Sequence, residues 1–350
     1  MAEIPSLQRL VSPQVLADRR VRFQVAAPQA KSVLVKGLAG LPPTPLTRGP
    51  DGVWSVTVGP LEPEIYSYVF EIDGADTVDP HNRRLKAWLA CESQVEIPGS
   101  PPLLHEHQGV PHGSIHRHWY DSQCTHSQRG VWVYTPPGYS PDGPAAWPLM
   151  VVLHGYGDDE SAWLEVGQAH RIADNLLAAG RIRPVVMAFP YGHPVPIAGD
   201  DFESYIVANL PAMEADVTQD LVPMLARDYR LIDDRGGRAI TGLSMGGGQS
   251  IMIGLRHRRI FGHVGGFSAA VPRQDLAVQL SAEVARPSGD ADELWLACGV
   301  DDFLLERNDT FSEWLAEHRI AHHYHRTSGG HDWMVWRGYL ADFLQHSFPA

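Results

Sequence analysis

Cysteine is scarce: Cys91, Cys124 and Cys298 are the 3 in 350 residues, which excludes a disulfide framework and allows at most one internal bridge. Cys298 ends the apolar run Leu294-Trp295-Leu296-Ala297-Cys298 and is expected to be a buried, inert thiol. Positive charge is also short, with 28 Lys and Arg against 41 Asp and Glu and a net charge of −13. That balance repels nucleic acid and anionic membranes, so neither is an expected partner and neutral substrates fit better. No apolar run approaches the roughly 18 residues of a membrane span. Residues 1–10 lack the basic start and apolar centre of a signal peptide. The 18 His include close pairs such as His116/His118 and His323/His325, but no HExxH or Cys/His ligand spacing accompanies them. No metal or other cofactor is expected.

Glycine, by contrast, is plentiful, and its placement matters most in Gly242-Leu243-Ser244-Met245-Gly246. The pentapeptide follows an apolar, strand-like run (Ala239-Ile240-Thr241) and leads into a helical pattern. A strand that stops at a serine and turns at once into a helix presents the Oγ above a sheet edge, and the tight turn leaves no room for flanking side chains. The Met245 N–H then lies at a helix N-terminus, where backbone donors and the dipole favour a developing oxyanion.

The length suits two domains. Residues 1–97 read as a small all-β sandwich. Val53 to Val58 alternates with Trp54, Val56 and Val58 on one face, and Tyr66, Tyr68, Phe70 and Ile72 share a face of the next strand. Trp54 is therefore expected in a core. Residues 98–114 are rich in Pro and Gly and read as a linker. Residues 115–350 alternate strands and helices, among them the buried strands Leu149 to Leu153 and Val185 to Phe189 and one long helix through Met213, Val217 and Leu221. Such alternation predicts a mostly parallel sheet covered on both faces, with reacting groups at the carboxyl ends of its strands.

A serine hydroxyl needs a positioned base, and the base needs an orienting acid. The order Ser, acid, His is that of the α/β-hydrolases. His331, in Ser328-Gly329-Gly330-His331, lies between the last strand and the last helix. Asp301 and Asp302 both follow the strand ending at Cys298, and position alone leaves the choice open. The second oxyanion donor is expected from His154-Gly155-Tyr156-Gly157, with Tyr156 supplying its N–H beside that of Met245. Trp333, Trp163 and Phe303 are candidate substrate-lining aromatics, Trp336 being placed in the core instead.

Two resemblances add to this reading. Residues 1–97 resemble the immunoglobulin-like modules of carbohydrate-binding-module family 48, in Ala27-Pro28-Gln29-Ala30, Asp51-Gly52-Val53-Trp54 and Val78-Asp79-Pro80-His81-Asn82. The second domain resembles carbohydrate esterase family 1, the feruloyl and acetylxylan esterases of the esterase D-like group. The resemblance rests on Val133-Tyr134-Thr135-Pro136-Pro137-Gly138, His154-Gly155-Tyr156-Gly157-Asp158, Gly242-Leu243-Ser244-Met245-Gly246-Gly247, Cys298-Gly299-Val300-Asp301-Asp302 and Gly330-His331-Asp332-Trp333. It implies an α/β-hydrolase fold with Ser244 as nucleophile, His331 as base and, by the Cys-Gly-x-x-Asp register, Asp302 as acid. It further implies a serine carboxylesterase acting on acylated carbohydrate such as xylan, with a secreted or periplasmic location following from that substrate. Enterobactin-type siderophore trilactone hydrolysis is the alternative within the same fold, and a carbohydrate-binding or mycolyltransferase-like protein in which hydrolysis is secondary or absent is the alternative of another functional class. The acyl group, the sugar and the oligomeric state are left open.

Overall fold

Alternating β-branched and aromatic residues in the first hundred positions form strands with one face turned inward. The computed structural model describes residues 10–197, 201–273, 276–281 and 293–350. The chain divides into two units between Leu103 and Leu104, inside the stretch read as a linker. The strands of the first unit are β1 Gln14–Val15, β2 Val21–Ala26, β3 Val33–Lys36, β4 Thr44–Pro45, β5 Thr47–Arg48, β6 Val53–Val58, β7 Glu64–Ile72, β8 Ala75–Thr77, β9 Leu85–Ala87 and β10 Cys91–Ile97. Among the described residues they make two antiparallel sheets, β1-β2-β6-β5 and β4-β3-β7-β10-β9 with β8 on β7. Phe23 on β2 meets Tyr68 on β7 edge to face at 4.7 Å. The Tyr68 hydroxyl donates to the buried Asp79 carboxylate at 2.8 Å, so a polar tip inside the unit is satisfied. Trp54 is buried and its indole N–H donates to Ala27 O at 2.9 Å.

In the second unit the strands are β11 Ser114–Ser122, β12 Ser127–Thr135, β13 Leu149–Leu153, β14 Val186–Pro190, β15 Arg238–Gly242, β16 His263–Phe267, β17 Glu293–Gly299 and β18 His323–Thr327. Their order is β11-β12-β14-β13-β15-β16-β17-β18 among the described residues. From β14 to β18 every pairing is parallel, while β11 and β12 add an antiparallel edge. β13 shows why an apolar run without alternation is a strand here. Leu149, Val151 and Leu153 enter the core on one face of the sheet and Met150 and Val152 the core on the other. Helices Ala169–Ala178 and Trp333–Ser347 cover the second face, through residues such as Ile172, Leu176, Leu340 and Phe343. Helices Phe202–Ala215, Ser244–Arg256 and Leu305–Glu317 cover the first, through Leu210, Ile251 and Phe311.

The long helix expected through Met213, Val217 and Leu221 is not uniform. It is α-helical to Ala215, widens to π hydrogen bonding over Asp216–Leu221, and resumes as Val222–Asp228. Fully buried Asp216 sits at the change of pitch, taking hydrogen bonds from Arg129 at 3.2 Å and Tyr120 at 2.8 Å. The end of the expected linker also belongs to the second unit. Asn175 donates to the Leu104 and Glu106 carbonyls at 2.7 and 2.9 Å, and Asp174 accepts the Gly113 N–H at 3.0 Å.

Because β13 to β18 run parallel, the segments following their carboxyl ends share one edge of the sheet. That edge carries His154-Gly155-Tyr156-Gly157 after β13, Gly192-His193 after β14, Ser244 after β15, Ser268 after β16, Asp302 after β17 and His331 after β18.

Candidate active site

The turn from β15 into the Ser244–Arg256 helix is tight enough to exclude side chains. A Cβ at Gly246 would lie 2.4 Å from His154 O, and one at Gly242 would lie 2.6 Å from Leu153 O. Ser244 itself is held at φ 51°, a left-handed conformation that costs a non-glycine residue on the order of 1 kcal/mol. Its Oγ–H donates to His331 Nε2 at 3.0 Å. The His331 Nδ1–H in turn donates to the Asp302 carboxylate, at 3.0 Å to Oδ1 and 2.9 Å to Oδ2. The loops that carry acid and base are stitched together by the Asp301 N–H, which donates to Gly329 O at 3.0 Å. Asp301 is exposed and Asp302 buried, so consecutive carboxylates face different surroundings.

Burial pushes the Asp302 carboxyl up, yet it is held below its ordinary value by hydrogen bonds from His331, from the Ser268 hydroxyl and from the Leu304 N–H. These hydrogen bonds favour the ionised carboxylate. Ser268 is fully buried and sits at φ 47°. It accepts the Trp336 indole N–H at 3.0 Å. The result is a line of hydrogen bonds from Trp336 through Ser268, Asp302 and His331 to Ser244.

On the other side of Ser244 lies the 154–157 loop. A Cβ at Gly155 would lie 2.7 Å from Leu243 Cδ1 and 3.7 Å from Ser244 Cβ, which puts this backbone beside the serine. Met245 is in the first turn of its helix, where N–H groups have no intrahelical acceptor. Its side chain packs with Tyr156, Phe202 and Tyr205. His154 and His193 brace the loop. Burial, above all, pushes both imidazoles down, to about 4 and about 3, so both are neutral.

The aromatic residues sort differently from the sequence expectation. Phe303 is 75% exposed, with its ring 4.4 Å from that of His331. Trp163 does not line a cleft. It is 1% exposed, bonded through its indole N–H to Leu153 O at 3.0 Å and packed against Phe267 and Trp333. Trp333 is likewise 8% exposed, in the same core. Trp336, expected only as core, is buried but touches the base, its ring perpendicular to that of His331 at 4.9 Å. The sequence reading missed Ser268, His193 and Tyr205. The signal available was a polar residue directly after an apolar strand, in Phe267-Ser268 and in Pro190-Tyr191-Gly192-His193. Among the described residues no group of three or more His, Cys, Asp or Glu side chains is placed to hold a metal ion.

Comparison with known proteins places this arrangement in a lineage. Residues 122–346 match the family described as Putative esterase. The chain belongs to that family. Over 261 residues, 72% of this chain, it is 32% identical to an endo-1,4-beta-xylanase/feruloyl esterase of Xylanibacter ruminicola, of which 35% is covered. The chain spans about a third of the length of the curated relatives it matches. Among solved structures, a ferulic acid esterase is 25% identical with a TM-score of 0.58, over 68% of this chain and 98% of that one. The enterobactin esterase of Shigella flexneri is alike over 96% of this chain and 95% of its own, with a TM-score of 0.68. At 20% identity that second likeness shows the fold alone. The esterase family's α/β-hydrolase-like fold, with an all-β N-terminal region of two sheets among the described residues, is the architecture of this chain.

Proposed function

We propose that this protein is a serine carboxylesterase that removes feruloyl or acetyl groups from carbohydrate such as xylan. The observation that carries the reading is the directed line Ser244 Oγ–H to His331 Nε2 and His331 Nδ1–H to Asp302. In such a line the hydroxyl oxygen attacks the ester carbonyl carbon while His331 Nε2 takes its proton. Asp302 keeps the proton of Nδ1 in place and stabilises the imidazolium. The carbonyl oxygen, now negative, is received by the N–H groups of Tyr156 and Met245. Collapse of the tetrahedral adduct breaks the bond to the sugar oxygen, which leaves with the proton held on His331. Water then attacks the acyl-Ser244 ester with His331 again as base, and the free carboxylic acid departs.

The substrate class rests on the 32% identical feruloyl esterase relative and on the exposed Phe303 ring beside the base, an apolar face for a phenolic acyl group or a sugar. A siderophore trilactone, anionic when metal-bound, finds less support. Arg307, close after the acid in sequence, is already neutralised by Glu203 in a two-bond pair, 2.6 Å from Nη1 and 3.0 Å from Nη2. The test is turnover of methyl ferulate, feruloylated and acetylated xylo-oligosaccharides and a catechol trilactone by the wild type and Ser244→Ala. The expected outcome is hydrolysis of the sugar esters that falls at least about a thousandfold in the variant. Trilactone turnover above that of every sugar ester would replace the substrate class, and an active Ser244→Ala would remove the mechanism.

A further inference from the structure

The Tyr191-Gly192-His193-Pro194 segment follows β14, one strand away from the 154–157 loop. We propose that His193, set in place by Tyr205, is a positioning residue that fixes the backbone of Gly155-Tyr156-Gly157 and so aims the oxyanion donor of the loop. The proposal rests on the esterase reading above.

One hydroxyl proton sets the direction of the bonds around His193. Tyr205 Oη–H donates to Val195 O at 2.9 Å. Having spent its proton there, the same oxygen can only accept from His193 Nδ1, 2.5 Å away, so the imidazole carries its hydrogen on Nδ1. Nε2 is then bare, and it accepts the Gly157 N–H at 3.1 Å. Each bond sets the direction of the next, and the series ends on a fixed backbone carbonyl. His193 is 4% exposed, and burial together with neighbouring His154 keeps it neutral, the only charge state with an acceptor for Gly157.

A matching bond runs the other way. His154 Nε2 accepts the Gly192 N–H at 2.7 Å while its Nδ1–H donates to Gly155 O at 2.8 Å. Two loops after two neighbouring strands are therefore laced by a pair of histidines, each accepting a backbone N–H from the other loop. Gly157 needs such a tether. At φ 83° it has no side chain to anchor it, and glycine samples this region and its alternatives with little penalty. Tyr205 also stands edge-on to the Tyr156 ring at 5.3 Å, and Phe202 does so at 5.1 Å, so ring packing holds the Tyr156 side chain while the hydrogen bond to His193 holds the next N–H along the backbone. Gly155, the residue before Tyr156, lies beside Ser244, and a small rotation of the peptide joining them changes what the Tyr156 N–H meets.

Three variants test this on 4-nitrophenyl acetate, with phenylboronic acid as the probe of the tetrahedral adduct. His193→Phe keeps a ring and removes the acceptor. Tyr205→Phe keeps the packing on Tyr156 and removes only the oxygen that sets the tautomer. His193→Gln offers an amide oxygen near the place of Nε2. The expected result for His193→Phe is a kcat lower by about 10- to 100-fold, a KM within about threefold, and a boronate Ki raised in proportion to the loss in kcat. Tyr205→Phe is expected to show a smaller loss of the same kind, and His193→Gln to recover most of the activity. A purely structural role would instead lower the melting temperature and leave kcat and the boronate Ki of the folded fraction unchanged. That result, or failure of Gln to restore activity, overturns the proposal. If His193→Phe does not fold, Tyr205→Phe decides by the same two readouts. Ser244→Ala keeps the two readings apart: activity surviving that change sinks the esterase mechanism, whereas activity lost there but kept in His193→Phe sinks only this inference.

Discussion

Ser268 Oγ receives the Trp336 indole N–H at 3.0 Å and, on its other side, supports the Asp302 carboxylate. A residue 24 positions along the chain from Ser244 thus stands behind Asp302. Ser268→Ala removes one hydrogen bond to a buried carboxylate and leaves the indole N–H unpaired. It is expected to lower kcat/KM by about fivefold, following the ~1 kcal/mol of such a bond, without changing which esters are cleaved. Steady-state kinetics on two esters of different alcohol size checks this. Unequal losses would mean that Ser268 acts on the substrate rather than on Asp302.

The adjacent carboxylates give a sharper comparison. Asp302→Asn is expected to cost up to about four orders of magnitude, because an amide can stabilise the wrong tautomer of His331. Asp301→Asn, on an exposed side chain whose backbone alone is used, is expected to stay within about twofold. Measuring kcat for both, with melting temperatures as the control for folding, tests the assignment; comparable losses would contradict it.

Phe303 and Trp163 should separate function from stability. Phe303→Ala removes an exposed ring and is expected to leave the melting temperature unchanged. It should lower kcat/KM for methyl ferulate by about 3- to 10-fold while altering that for an aryl acetate by less than twofold. Trp163→Ala empties a buried site and is expected to cost ~3–5 kcal/mol in denaturant unfolding. Thermal shift and the two-substrate ratio measure both effects, and a stable Trp163→Ala would mean that the core closes over the gap.

Acid sensitivity follows from two buried histidines and one partly buried one. His154 and His170 are pushed down to about 4 from 6.5, and His193 to about 3, chiefly by burial. The unfolded chain protonates these rings near pH 6.5 and the folded chain resists, so the stability they contribute is complete above about 6.5 and is lost as pH falls toward the depressed values. His170 lies on the Ala169–Ala178 helix, outside the catalytic line. In His170→Gln, the drop in melting temperature between pH 7.5 and pH 5 is expected to be smaller by about 2–4 °C. An identical drop would assign the acid sensitivity elsewhere.

What could be read from the residues alone was what local patterning controls. The glycines around Ser244, the run Leu149 to Leu153 and the placement of Asp302 and His331 just after strands are each contained in a few consecutive positions. Trp163 and Trp333, expected beside a cleft, lie in the core because nearness in sequence is not nearness in space. Trp333 is two residues from His331, but Asp332 caps a helix there, and the first turn carries Trp336 back to the imidazole while Trp333 turns into the core. Trp163 sits on the four-residue helix Ala162–Glu165, whose Ala162, Trp163 and Leu164 are all buried, too short a segment for its inward face to show as a period. Ser268 and His193 were out of reach for another reason. Their partners, Trp336 at 68 positions and Gly157 at 36, become neighbours only once the sheet order is known.

The left-handed backbone at Ser244 sets fold and chemistry against each other at one position. Serine and alanine carry a similar conformational penalty there, and glycine escapes it. Ser244→Gly should therefore tolerate heat better than Ser244→Ala while both are inert, so that the difference in melting point between the two variants reports the tension that the wild-type chain keeps at Ser244.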